Sequence, residues 1–91
     1  MAAAVANIAS QRKRIVRSAR EHDENRRQVS AVKTHFHRLE SAVAEGDASA
    51  IDAEHRELVS RIDRAARTGA LHRNTAARKK ARAARVLADA S

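Results

Sequence analysis

The chain contains no proline, and its two glycines are Gly46 and Gly69. Proline and glycine interrupt helices more strongly than any other residue, so helix is favoured everywhere except near those two positions. We therefore predict an all-α fold of three helices, over residues 8 or 10 to 44, residues 48–68, and residues 74 or 75 to about 88. The joints are short, which places neighbouring helices antiparallel.

Polar residues near the joints support these limits. Ser49 followed by Asp52 resembles a capping box at the start of the second helix. Asn74 is expected to cap the third helix, and Gly69 suits the left-handed residue that ends the second.

Apolar residues recur at steps of three and four in each helix, which is the spacing of a buried helical face. The three faces predict one bundle in residues 8–91, after an N-terminal extension in residues 1–7. The predicted core positions are Val29, Val32, Phe36, Leu39 and Val43, then Ile51, His55, Leu58, Ile62 and Ala65, then Ala76, Ala83, Val86, Leu87 and Ala90.

The first helix has a different character before Val29, in the part we call the arm. Between Ala19 and Val29 it carries no apolar residue, and residues 21–28 are polar on every face. Such a helix is solvated, held by charge pairs, or laid against a polar partner. We predict that the arm projects beyond the bundle.

The formal net charge of +8 on 91 residues predicts a polyanionic partner, either nucleic acid or an anionic membrane. Residues 1–44 and residues 70–91 each sum to +5, whereas residues 45–69 sum to −2. The first and third helices are therefore expected to meet the polyanion, and the second to face away from it.

The absence of cysteine excludes disulfides and thiolate metal sites and fits a reducing compartment. No apolar run approaches the roughly 18 residues of a membrane span, and the arm lacks the bulky apolar face of a membrane-surface helix. We expect a cytoplasmic protein without a membrane partner.

Two basic stripes are candidates for phosphate contacts. The third-helix stripe is Arg78, Arg82 and Arg85, with Lys79 adjoining it, and residues 71–88 contain no acidic residue to pair with them. Its alternative interpretation is a merely solvated face.

The arm stripe is Lys13, Arg17, Arg20 and Arg27, which line one side of the arm. Its alternative is ordinary intrahelical pairing, for which Arg17–Glu21, Arg20–Glu24 and Asp23–Arg27 are suitably spaced.

The second joint leads directly into the basic third helix. Exposed amides and the helix dipole favour an anion at such a place. Arg73 and Thr75 can add side-chain donors, and for Asn74 the alternative role is simple capping.

Other chemistry finds little support in the sequence. Phe36, the one aromatic residue, falls on the core face, so recognition is expected to use phosphates, sugar hydroxyls and RNA shape instead of base stacking. His35 and His37 project to opposite sides of a helix, so we expect no metal and no cofactor. A glycine-rich phosphate loop and a nucleophile with its base are missing, which argues against an enzyme and a small-molecule substrate.

Four segments resemble one known family, the bacterial small-subunit ribosomal protein S-twenty family. NIASQRKRI at residues 7–15 is similar to its basic start, AVKT at residues 31–34 to its next stretch, and AEGD at residues 44–47 to its first joint. GALHRNTAARKKAR at residues 69–82 resembles its hallmark segment.

The resemblance implies a helical bundle that binds small-subunit (16S-type) rRNA directly, near the bottom of the subunit body, and supports its fold during assembly. Neighbouring small-subunit components are further candidate partners, and an obligate homo-oligomer is not expected. The motifs and the stripes together predict RNA contacts at Ser10, Arg12, Lys13, Arg14, Arg17, Arg20, Arg27, His72, Arg73, Asn74, Thr75, Arg78, Lys79, Arg82 and Arg85.

Two other functions fit the charge alone. A histone-like DNA-binding architectural protein is one, although such proteins usually need a dimer or a wedge residue to bend duplex. A helical interaction protein with an incidental positive surface is the other, and it would bind a protein partner in a salt-insensitive way.

Overall fold

The computed structural model describes the backbone of residues 2–90 and the side chains of residues 7–90. It confirms the all-α fold: α1 spans Ala2–Glu45, α2 spans Ala48–Arg67 and α3 spans Arg73–Ala90. Residues 2–90 contain no strand. Within the same residues, no helix combines the length and the apolar character that a membrane span requires.

The first helix begins earlier than predicted, at Ala2 instead of residue 8 or 10. Alanine has the highest helix propensity of all residues, and residues 2–9 contain nothing that would stop a helix. Most of the side chains of the predicted extension, residues 1–7, lie outside the described residues, as does Ser91 at the end of the predicted domain.

Asp47 caps the second helix, so the predicted capping box of Ser49 and Asp52 is wrong. The Asp47 carboxylate accepts hydrogen bonds from the amides of Ser49 and Ala50, at 3.1 and 3.2 Å. Asp47 immediately precedes the first helical residue and has an extended backbone, which is the geometry that lets a side chain reach these amides. Asp52 instead pairs with Arg56 at 3.0 Å, one turn further along α2.

The third helix begins at Arg73, one residue earlier than predicted, and extends to Ala90. His72 takes the capping role that was predicted for Asn74. Its carbonyl accepts from the Ala76 amide at 2.9 Å, and its Nδ1 accepts from the Asn74 amide at 3.1 Å. Asn74 therefore lies inside the helix, where its side chain cannot cap the first turn.

Gly69 has a φ of 82° and follows Thr68, the C-cap of α2, as predicted. Only glycine adopts this left-handed conformation without steric cost, so the chain can leave α2 at this point.

The core lies between the three helices and follows most of the predicted faces. Three positions differ in α1: Val29 is 41% exposed, whereas His35 and Ala42 are buried. The contacts of Arg82 of α3 with α1 lie further along, at Phe36 and Glu40. The buried core residues are Val32, Phe36, Leu39, Ala42, Ile51, Leu58, Ile62, Ala65, Leu71, Ala76 and Ala83, with Val43, Val86 and Leu87 partly buried against them.

One further position corrects the predicted face of α3: Ala90 is exposed. His55 is half-buried at the edge of the α2 face. Leu71, in the second joint, is buried although it was not predicted as a core residue.

The described molecule is elongated, at 69 × 21 × 13 Å, and has a radius of gyration of 19.0 Å. A compact domain of this length would have a radius of gyration of about 12 Å. The difference comes from α1, whose 44 residues extend about 66 Å at 1.5 Å per residue. α2 and α3 cover only its C-terminal half.

Candidate nucleic-acid interface

The arm leaves the bundle as an uncovered helix. Every described side chain from residue 7 to residue 24 is exposed, including those of Ile8, Ile15 and Val16. The predicted contacts in this stretch all lie on solvent-accessible helix, and they are Ser10, Arg12, Lys13, Arg14, Arg17 and Arg20.

The arm meets the bundle at a hydrogen bond between α1 and the end of α2. The Thr68 hydroxyl donates to the Gln28 side-chain oxygen at 2.7 Å. This bond joins residues 40 positions apart, and it confirms that α1 and α2 are antiparallel. The arm therefore ends where α2 ends, beside the second joint.

Most of the arm stripe is not engaged in the intrahelical pairs that its spacing allows. Within residues 7–90, neither Arg17 nor Arg20 forms an ion pair. Arg27 does pair, but with Glu24 at 3.6 Å rather than with Asp23. The Arg27 side chain is still 78% exposed, so this pair is a weak constraint in solvent.

The predicted contact residues of the second joint lie beside the end of the arm that meets the bundle, which we call the foot of the arm. His72, Arg73 and Asn74 are exposed, and Thr75 is half-buried. The His72 cap satisfies the Asn74 amide, so the start of α3 offers fewer free amides to an anion than an uncapped helix would.

The third-helix stripe is exposed at all three positions, and Lys79 beside it is half-buried. Arg78 and Arg85 form no ion pair within residues 7–90. Arg82 does: its guanidinium lies 3.6 Å from a Glu40 carboxylate oxygen and 5.0 Å from the centroid of the Phe36 ring.

The neighbouring Lys80 also pairs, with Asp63 of α2 at 2.9 Å. The absence of acidic residues from residues 71–88 therefore does not leave Arg82 and Lys80 unpaired. Packing brings their partners, Glu40 and Asp63, from the other two helices.

The arm stripe and the α3 contact lie on different parts of α1. Steps of three and four carry the arm stripe onto Glu24, Arg27 and Gln28, the side of α1 that faces the end of α2. α3 instead crosses α1 at Phe36 and Glu40.

No group of three or more metal-ligating side chains occurs among residues whose side chains are described. His35 is buried at the α1–α2 interface, where its Nδ1 has no hydrogen-bond partner and lies 4.0 Å from a Glu54 carboxylate oxygen. The sequence gave one indication that His35 is buried: it lies one helical turn after Val32, which is also buried.

The fold and the surface define a small helical-bundle protein with an exposed basic arm and a second basic stripe on its third helix. The family model described as Ribosomal protein S20 matches residues 6–88. The chain belongs to this ribosomal protein family, as its sequence motifs predicted, and the family is not one of enzymes.

Named relatives match over nearly the whole chain. The small ribosomal subunit protein bS20 of Corynebacterium diphtheriae is 39% identical over 83 residues, which cover 91% of this chain and 95% of the relative. The protein of the same name from Acaryochloris marina is 40% identical over 90 residues, covering 91% and 96%. That of Chelativorans sp. is 40% identical over 81 residues, covering 89% and 92%.

Proposed function

We propose that this chain is a structural constituent of the small ribosomal subunit that binds 16S-type rRNA directly and stabilises its fold during assembly. In this proposal residues 8–91 form the RNA-binding domain and residues 1–7 are an extension. The relatives are named as small ribosomal subunit proteins, which supports the assignment to that subunit.

The observation that carries the proposal is the exposed arm. A lone helix cannot bury an apolar face, and isolated helices are only marginally stable in water. Its stripe residues Lys13, Arg17 and Arg20 have no protein carboxylate within ion-pair distance among residues 7–90. RNA phosphates would supply the missing counter-charges and would order the arm.

The mechanism follows from where the charges lie. The arm stripe lies on the uncovered part of α1 and the third-helix stripe lies on α3 of the bundle, so each would hold a separate RNA segment through phosphate contacts. Each contact releases a condensed counterion, so the affinity falls steeply as the salt concentration rises. By holding two segments at once, the protein would fix their relative position in the folded RNA.

Base reading has no support in this surface. Phe36 is only 5% exposed, and one of its faces lies against the Arg82 guanidinium. Without an exposed aromatic platform, the protein would recognise folded RNA by its phosphates, its 2′-hydroxyls and its shape.

The test is direct binding of the full-length chain to small-subunit rRNA at several salt concentrations, with duplex DNA of equal length as competitor. We expect binding that survives the competitor and weakens with salt. Equal affinity for the duplex would instead favour a DNA-binding architectural protein. Binding to neither nucleic acid would contradict the proposal.

A further inference from the structure

The C-terminal end of the second helix is basic, although residues 45–69 as a whole carry a net negative charge. Five of the six acidic residues in residues 45–69 lie at or before Glu57. Three of the four arginines in the same range follow it, at Arg61, Arg64 and Arg67, and the one later acid, Asp63, is taken up by Lys80 of α3. The end of α2 that meets the arm is therefore positive, although the segment as a whole is not.

This basic end forms one wall of a cleft against the foot of the arm. The cleft has a volume of about 580 Å³. Its other wall is the side of α1 that carries Glu24, Arg27 and Gln28, and Thr68 also lines it.

Most polar side chains of the cleft can donate hydrogen bonds, and its one carboxylate, Glu24, pairs with Arg27 at 3.6 Å. The Thr68 hydroxyl donates to the Gln28 side-chain oxygen, which leaves the Gln28 amide nitrogen as a donor with no protein partner among residues 7–90. Arg61 uses its Nε to bond Glu57 at 2.9 Å, so its two terminal nitrogens remain available. Arg64 forms no ion pair within the same residues.

The cleft also continues the arm stripe. Lys13, Arg17, Arg20 and Arg27 descend one side of α1 at steps of three and four, and Arg27 lines the cleft. Beyond Arg27 the next basic groups on this side are those of α2, Arg61 and Arg64. An RNA backbone that follows the arm stripe would thus reach the cleft.

We propose that the cleft between the foot of the arm and the end of α2 binds a backbone phosphate of the RNA. Arg64 is its principal cation, Arg61 and Arg27 add charge, and the Gln28 amide donates. The inference rests on the proposed function, and it assigns to the second helix a contact that the regional charge sums had excluded.

The test compares Arg64→Gln with Arg56→Gln in the full-length chain. Arg56 is a matched control because it lies on the same helix, its side chain is 79% exposed, and it pairs with Asp52 away from the cleft. Both variants lose one positive charge, so they alter the long-range field equally. Circular dichroism checks that both remain helical.

We expect Arg64→Gln to lower the slope of log affinity against log salt by about 0.9, and to weaken binding about fivefold at 0.15 M salt. Arg56→Gln should leave both quantities close to the wild-type values. Arg64→Lys should retain most of the slope, because lysine still presents a point charge to the phosphate.

Two results would overturn the inference, and they are distinguishable. If the wild-type chain binds the RNA but Arg64→Gln behaves like Arg56→Gln, the cleft is not a phosphate site and the proposed function stands. If the wild-type chain does not bind the RNA at all, both proposals fail together.

Discussion

The Arg82 guanidinium lies 5.0 Å from the centroid of the Phe36 ring, and this contact joins the third helix to the first. The same guanidinium is 3.6 Å from Glu40, one turn further along α1. Arg82 was predicted as an RNA contact from its position in the third-helix stripe. The structure gives it a second task, which is to hold α3 against α1.

Arg82→Gln should therefore lower the free energy of unfolding. An exposed cation–π contact and an exposed ion pair each contribute less than about 1 kcal/mol, so we expect a loss of about 1 kcal/mol in total. Urea denaturation followed by circular dichroism measures this change. Arg85→Gln is the control, since Arg85 has no ion pair within residues 7–90, and an equal loss in both variants would show that the Phe36 contact does not stabilise the fold.

Asp47→Ala should destabilise the second helix by about 1 kcal/mol, because it removes the acceptor for two amides of the first turn. Ser49→Ala should have little effect, since Asp47 and not Ser49 provides the cap. Thermal melts of the two variants decide between them. A larger loss of thermal stability for Ser49→Ala than for Asp47→Ala would show that Ser49 caps the helix, as the sequence suggested.

Leu39→Ala should cost about 2–5 kcal/mol, because Leu39 is completely buried in the centre of the bundle. A small domain has a total stability of only about 5–15 kcal/mol, so this variant should be largely unfolded at moderate temperature. Val29→Ala is the matched control, with an expected loss below about 1 kcal/mol. Denaturant titration measures the free energy of unfolding of both variants. A larger loss for Val29→Ala than for Leu39→Ala would contradict this assignment of the core.

His35→Leu should be tolerated and should raise the free energy of unfolding by about 1 kcal/mol. The buried Nδ1 of His35 has no hydrogen-bond partner, and an apolar side chain at the same place removes this unsatisfied group. Urea denaturation at neutral pH is the measurement. A loss of stability would mean that the approach of His35 to Glu54, at 4.0 Å, is a stabilising interaction.

The sequence predicted the helices and most of the core because the relevant signals are local. Gly69 marks the end of α2 through its own backbone preference, and the apolar steps of three and four identify Val32, Phe36 and Leu39 without any tertiary information. The helix ends were less accurate, since several polar residues compete for each cap. At the first joint the cap is Asp47, two residues before Ser49, where the predicted box began.

The interface was predicted only in part because its remaining features depend on packing between helices. Glu40 and Asp63 come to Arg82 and Lys80 from other helices, and the sequence spacing gives no sign of these pairs. The basic end of α2 was missed for another reason: the regional sum averaged Arg61 and Arg64 with the acidic residues of the first joint and of the first half of α2. A charge count turn by turn would have revealed it.

The measurement that tests the account most directly is sedimentation of the full-length chain with small ribosomal subunits through a density gradient. Before sedimentation, the subunits with their bound protein are washed at moderate salt, and duplex DNA is added as a competitor. The account predicts that it remains with the subunits after both treatments. Recovery of the protein with the DNA, or at the top of the gradient, would contradict it.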